Sequence, residues 1–179
     1  MKEVLLSLAQ FNSPGLKCLI VGEGDAYEEL AEIRRQPNPQ NRVIFTGQRP
    51  YEEIPSFIAV ADICLLPAYP WEPIMQDVVP IKLYKYIALA KPVISTNLPG
   101  VRKEFGEDNG VVYVERPEDV MPKAIALVKS GRLAELGQQA RRFMEQKSWD
   151  KVTDDFEALL QEVISEKRLT AGRKTGAGV

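Results

Sequence analysis

A proline, two lysines and an aspartate between residues 77 and 85 are the groups whose types and spacing could hold an anion in this chain of 179 residues. The segment Pro80-Ile-Lys-Leu-Tyr-Lys-Tyr-Ile-Ala88 has the spacing of a helix and follows the apolar run Ala61 to Leu66. Proline suits the first helical position, because the N–H it lacks has no intrahelical partner there. A helix start offers free N–H groups and the positive end of the helix dipole. Ile81, Lys82 and Leu83 are therefore predicted to present backbone donors to a phosphate, with the Lys82 ammonium as a local cation. In open α/β sheets, ligands bind where a strand's carboxyl end hands over to a helix. Asp77 reads either as a helix N-cap or as a carboxylate aimed at a ligand hydroxyl. Lys85 shares a helix face with Lys82 and reads either as a solvated lysine or as a second cation for phosphate.

Glycines mark a second place where backbone and ligand can meet. Leu19-Ile-Val-Gly-Glu-Gly24 ends an apolar strand in a turn, and Arg42-Val-Ile-Phe-Thr-Gly47 ends another. Gly22 and Gly24, without side chains, let a ligand approach the main chain closely. Glu23 between them reads as a solvated loop charge in preference to a ligand contact. Tyr69 and Trp71, in the proline-rich loop from Pro67 to Val79, either line a pocket or pack against a partner domain, and packing is the preferred reading. The chain contains no histidine, so no imidazole base, histidine-based triad or histidine metal site resides in it.

The elements that must position these residues alternate. Helical spacing covers Glu3 to Phe11, Asp25 to Arg35 and Tyr51 to Ala61. Strands are predicted near 16–21, 43–46, 62–66, 92–96 and 111–114. From Pro117 the pattern is all helix: one element to Ser130-Gly131, a second from Arg132 to Gln146, and a third capped by Ser148 and running to about Glu166. In that last helix Trp149, Val152, Phe156, Leu159 and Val163 form a stripe read as core or domain-bridging. Residues 1–166 are taken as one domain and 167–179 as a disordered tail. Near-continuous apolar strands alternating with helices mean a parallel sheet covered on both faces. The chain opens with a helix where a doubly wound unit opens with its central strand. The first strand is therefore expected to be missing, leaving the sheet either closed up or carrying a gap that a neighbouring chain fills.

Bulk properties exclude several classes. A net charge of −2 produces no field to draw nucleic acid, and the apolar runs fall well short of the roughly 20 residues a membrane span needs. Cys18 and Cys64 each sit inside a predicted strand and read as core hydrophobes, which points to a cytoplasmic setting.

The motifs Leu19–Gly24, Arg42–Gly47, Ala59–Pro67, Pro80–Ala88, Lys91–Thr96 and Ser148-Trp149-Asp150, in this order, resemble the C-terminal, nucleotide-sugar-binding domain of the group 1 (family 4) glycosyltransferases of GT-B fold. The resemblance covers roughly residues 2 to 165. It implies an α/β, Rossmann-like domain that holds a nucleotide-diphosphate sugar as substrate, with no cofactor and no metal. It also implies sugar transfer to an acceptor, usually with retention, as part of a longer two-domain enzyme. The acceptor site and the family's frequent histidine belong to an N-terminal domain, and any peripheral membrane contact falls to that domain too.

By the same resemblance, the turn at Gly47, Gln48 and Arg49 sits where the family places the base edge. The family's Glu, seven residues, Glu pattern puts Asp77 on the first carboxylate and Lys85 on the second, and these two are the candidate catalytic positions. Lys85 is a charge reversal. An ammonium cannot accept hydrogen bonds from a ribose diol. The family's usual helix-ending glycine is replaced here by Ala90. The alternative reading is a non-catalytic scaffold or nucleotide-sugar sensor of the same descent.

Overall fold

The computed structural model describes residues 1–175 apart from 12, 14 and 38. The chain divides into two compact units, Met1–Phe143 and Met144–Val179. In the first unit, α1 (Lys2–Gln10) leads to β1 (Cys18–Ile20), α2 (Tyr27–Arg34) and β2 (Val43–Phe45). A 3₁₀ turn (Tyr51–Glu53) precedes α3 (Ile54–Ala59) and β3 (Cys64–Leu66). After a second 3₁₀ turn (Pro73–Met75) come α4 (Ile81–Ala88), β4 (Val93–Thr96), α5 (Pro99–Phe105) and β5 (Val111–Val114). A third 3₁₀ turn (Pro117–Asp119) opens α6 (Val120–Ser130), followed by α7 (Leu133–Glu145).

All strand pairs are parallel, and none involves residues 1–11. The expectation of one five-stranded sheet is corrected: among the described residues β1 pairs with β2 alone, and β3-β4-β5 form a separate three-stranded sheet. Among the described residues the two sheets share no strand pair, so the sheet is not closed up. α5 has no counterpart in the sequence reading, because Pro99-Gly100 looks like turn chemistry and masks a proline-initiated helix.

Alternation along the strands divides the core in two. Cys18, Val43, Ile94 and Val114 join Val4, Leu5 and Leu8 of α1, Leu30 and Ile33 of α2 and Val120, Met121, Ala124 and Leu127 of α6 in one buried cluster. Leu83 and Ile87 of α4 and Val101 and Phe105 of α5 are also buried but lie outside that cluster. Every β4 residue is buried, as expected of a strand covered on both faces. Both cysteines are free and buried. Burial pushes the Cys18 thiol up to about 11 and the Cys64 thiol up to about 12, so both behave as small hydrophobes.

The end of α4 carries a strained residue. Ala90 N–H donates to Ile87 O and Lys91 N–H to Tyr86 O, the hydrogen-bond pair of a Schellman cap. Ala90 occupies its left-handed position at φ +54°. A side chain there costs about 1–2 kcal/mol, while glycine adds about 0.4–1 kcal/mol of unfolded-state entropy. Ala90→Gly is therefore expected to raise stability by roughly 0.5–1 kcal/mol in urea unfolding; a loss of stability would refute this account of the cap.

The second unit contains α8 (Trp149–Thr175), whose first turn is capped by Ser148 Oγ accepting from Lys151 N–H at 3.1 Å. The helix continues past Glu166 through part of the segment expected to be a disordered tail; residues 176–179 lie outside the described residues. No helix among the described residues is long and apolar enough to cross a membrane.

Candidate functional site

The site is assembled at the carboxyl ends of the strands from two loops and one helix start. Gly22, just beyond β1, has φ +117°, and Gly47, just beyond β2, has φ +67°. Both values favour glycine, which explains why these turns require it. The two residues form an antiparallel bridge, Gly22 N–H donating to Gly47 O at 3.0 Å. Glu23 Oε1 accepts from Gln48 N–H at 3.4 Å and closes the turn from the other side. A cavity of about 400 Å³ opens there, lined by Glu23, Gly24, Tyr27 and Gly47. Gly22, Gly24, Gly47 and Gln48 are thus brought together. Glu23 is exposed, as the sequence implied, but it also ties the two loops. Tyr27 was missed because its helical spacing did not distinguish it from a packing residue; its ring meets Phe45 edge-on at 5.3 Å between centroids.

Arg49 is not among the residues lining the cavity and lays its guanidinium over Phe57 of α3, 5.8 Å from the ring centroid. Lys85 does the same with the 3₁₀ turn after Gly47, its Nζ lying 4.3 Å from the Tyr51 ring centroid. At this distance the ring quadrupole attracts the ammonium by about 0.5–1 kcal/mol. This contact links α4 to the loop that carries Gly47 and Gln48, so both halves of the candidate site share one region. Tyr51 was not singled out from the sequence, and it is 68% exposed.

The start of α4 differs in two details from the sequence reading. Pro80 is the N-cap, not the first helical residue, and no side chain caps this helix. The capping role weighed for Asp77 is therefore excluded at α4: Asp77 is an exposed residue three positions earlier. Leu83 N–H donates to Pro80 O at 2.9 Å, and the Leu83 side chain is fully buried. Leu83 is thereby corrected as a phosphate donor, because its N–H is already engaged. Ile81 and Lys82 remain at the helix opening with exposed side chains. Burial lowers the pKa of the Met1 amine, Glu3 opposes that, and the Lys82 charge adds to the lowering.

The loop from Pro67 to Pro80 is pinned at both ends. Buried Thr96, at the end of β4, donates its hydroxyl to Ala68 O at 2.6 Å. The Tyr69 hydroxyl donates to the Glu3 carboxylate of α1; that bond, with burial adding to it, pushes the Tyr69 pKa up to about 12. Tyr69 thus packs within this unit, with the Trp71 ring 5.0 Å away. At the other end, a Cβ on Gly100 would stand 2.9 Å from the Asp77 carbonyl carbon and oxygen. Only glycine lets α5 support the loop so closely. Thr96 and Gly100 carried no sequence signal, since their roles depend on chain distant in sequence.

Parallel strands, a glycine-lined cavity beyond their carboxyl ends and a helix start carrying Lys82 define an α/β half-domain of doubly wound type with a candidate ligand site at the strand ends. Residues 1–130 match the family model described as glycosyl transferases group 1, and the chain belongs to that family. TuaH of Bacillus subtilis, assigned as a teichuronic acid biosynthesis glycosyltransferase, is 40% identical over 72 residues, covering 40% of this chain and 17% of the relative. The N-acetyl-alpha-D-glucosaminyl L-malate synthase of Bacillus anthracis is 22% identical over 156 residues, covering 85% of this chain and 39% of the relative. Among solved structures, sucrose-phosphate synthase of Thermosynechococcus elongatus superimposes with a TM-score of 0.74 at 18% identity, over 92% of this chain and 42% of that one. HepE of Anabaena in complex with UDP gives 0.72 at 17% identity, over 89% and 44%. These structural likenesses establish the α/β, Rossmann-like fold. The chain spans 17% to 39% of the length of its curated relatives.

Proposed function

We propose that this chain binds the nucleotide-diphosphate sugar of a glycosyl transfer reaction, as the donor-holding part of a longer two-domain enzyme. The observation that carries the proposal is the placement of the bridged Gly22 and Gly47 turns beside α4 through the Lys85–Tyr51 contact. In this reading the base enters the cavity by Gly24, Gly47 and Tyr27. The diphosphate meets the N–H groups of Ile81 and Lys82 and the Lys82 ammonium. Asp77, before the helix start, is assigned to a sugar hydroxyl. The chain's work is to position the donor and to stabilise charge on the departing diphosphate, which supplies rate without proton transfer. Group 1 membership and the likeness to HepE, solved with UDP, support the reading. The scaffold or sensor alternative rests on Lys85 alone.

Calorimetric titration with uridine and guanosine diphosphates tests it. Binding of at least one is expected with Kd on the order of 0.1–1 mM, about 4–5.5 kcal/mol, and Lys82→Ala is expected to weaken it. The isolated chain is expected to transfer or hydrolyse nucleotide sugars no faster than background, because the reading assigns the acceptor side to a different domain. Absence of binding by either diphosphate would refute the donor assignment, and robust transfer by homogeneous chain would refute the division of labour.

A further inference from the structure

The cavity beside the two glycine turns holds a single charged group. It is lined by Glu23, Gly24, Tyr27 and Gly47, with no basic side chain among them. Glu23 Oε1 accepts from Gln48 N–H at 3.4 Å, which is long for such a bond. A Cβ on Gly47 would stand 3.2 Å from the same oxygen, so the carboxylate lies close against the Gly47 backbone. Among the described residues Glu23 Oε2 has no hydrogen-bond or ion-pair partner. A carboxylate offers about four lone-pair sites on two oxygens, and most of these are unspent here. The arginines of the flanking segments are committed to rings: Arg34 lies over Phe45 at 5.7 Å and Arg49 over Phe57 at 5.8 Å.

This carboxylate restricts what the cavity can take. It repels a diphosphate, so the cavity suits the uncharged end of a nucleotide. Tyr27, 39% exposed, supplies an aromatic ring of the kind on which bases stack. An acceptor-only group also selects a base edge made of donors. Guanine presents its N1–H and its 2-amino N–H side by side, matched to the two oxygens of a carboxylate. Uracil presents one N3–H between two carbonyl oxygens, so a carboxylate taking that N–H sets its second oxygen against a carbonyl. Adenine and cytosine each place one amino group beside a ring nitrogen that accepts. A site built to hydrogen-bond a ligand group rejects analogues lacking it, because the site's own polar group is then left unpaired.

We infer that Glu23 reads the base at this site and selects guanine, so that the donor is a guanosine-diphosphate sugar. The inference rests on the donor-holding reading above, with the base in this cavity. Glu23 Oε1 and Oε2 accept from guanine N1–H and the 2-amino group, while Gln48 N–H holds the carboxylate in place. The competing role for Glu23 is acceptance from the ribose diol, which is common to all nucleotides and distinguishes none of them.

Calorimetric titration with guanosine, inosine and uridine diphosphates at one ionic strength tests this, on the unaltered chain and on Glu23→Gln. Inosine keeps N1–H and lacks the 2-amino group, so it isolates that contact without any substitution in the protein. The unaltered chain is expected to bind guanosine diphosphate roughly ten- to a hundred-fold more tightly than uridine diphosphate, the range set by one hydrogen bond to a charged group. Inosine diphosphate is expected to fall between them. In Glu23→Gln one accepting oxygen becomes a donor, and the guanosine preference is expected to shrink to within about three-fold. Equal binding of the guanosine and uridine ligands, a preference for uridine, or equal binding of the guanosine and inosine ligands would each overturn the inference. Equal weakening of all three by Glu23→Gln would assign Glu23 to the ribose and overturn it too. Binding without discrimination refutes only the choice of base, whereas binding of none refutes the donor assignment and the inference together.

Discussion

Gly110→Ala is expected to lower the stability of the first unit by about 2–5 kcal/mol, seen as a fall in the urea midpoint with little change in slope. Two costs combine. Gly110 is buried at φ +80°, where a side chain costs about 1–2 kcal/mol. An added Cβ would also stand 2.6 Å from the Ala140 Cβ, 2.8 Å from Leu136 O and 2.9 Å from the Ala140 Cα. Two of these three neighbours are helix backbone, so the clash cannot be relieved by a rotamer change, and overpacking adds about 1–3 kcal/mol. The clash is separable from the backbone strain. Ala140→Gly in the Gly110→Ala background removes the nearest atom, and the double-mutant cycle is expected to show a favourable coupling of at least about 0.5 kcal/mol. A loss under 1 kcal/mol, or exact additivity, would mean that β5 and α7 separate more easily than their packing implies.

The second large effect concerns Lys85. Lys85→Glu is expected to strengthen binding of a nucleoside diphosphate by about 1.5–3 kcal/mol, roughly ten- to a hundred-fold, because a carboxylate can accept from the ribose diol and an ammonium cannot. The structure supplies the opposing term: the substitution forfeits the Lys85–Tyr51 contact, worth about 0.5–1 kcal/mol at an exposed site. The gain exceeds the loss. Weaker binding would instead place Lys85 beside the phosphates with Lys82. Titration at one fixed ionic strength is required, since lysine–phosphate attraction is screened over roughly 10 Å at 0.1 M salt. Tyr51→Ala separates the terms, because it removes the ring while leaving the ammonium in place. If neither substitution changes affinity, the donor is not bound along this face of α4.

Periodicity was sufficient wherever burial and local geometry demanded the same residue. β4 is legible as Val93–Thr96 because a strand covered on both faces must be apolar throughout, and α6 ends at Gly131 because a left-handed cap favours glycine there. Gly22 and Gly47 stood out because their turns have positive φ, which leaves a mark in residue type. Boundaries were less legible. β1 and β3 are three residues each, shorter than their apolar runs, because pairing on one side alone does not hold the ends.

The candidate site was legible as positions but not as interactions. Residue type placed a candidate phosphate-binding helix at Pro80 and a glycine turn at Gly47. It did not show that Arg49 and Lys85 turn onto Phe57 and Tyr51, or that Leu83 spends its N–H on Pro80. Those choices depend on which rings and carbonyls the folded chain brings within reach. Likewise the Thr96–Ala68 and Tyr69–Glu3 bonds span 28 and 66 residues, separations at which neither partner constrains the other's residue type.

By itself the sequence determined that this is an α/β chain with five parallel strands, that Gly22, Gly24, Gly47 and Lys82 stand in segments that follow strands, and that its motifs resemble those of the group 1 glycosyltransferases. Each follows from local demands: apolar continuity in buried strands, positive φ at turns, free N–H groups at a helix start. Only the tertiary structure decided that the strands form two sheets, that α1 packs against both α2 and α6, and that Lys85 rests on an aromatic ring. Hydrogen-bond partners across a sheet and contacts between distant segments are set by chain topology, which residue types along a single segment do not encode.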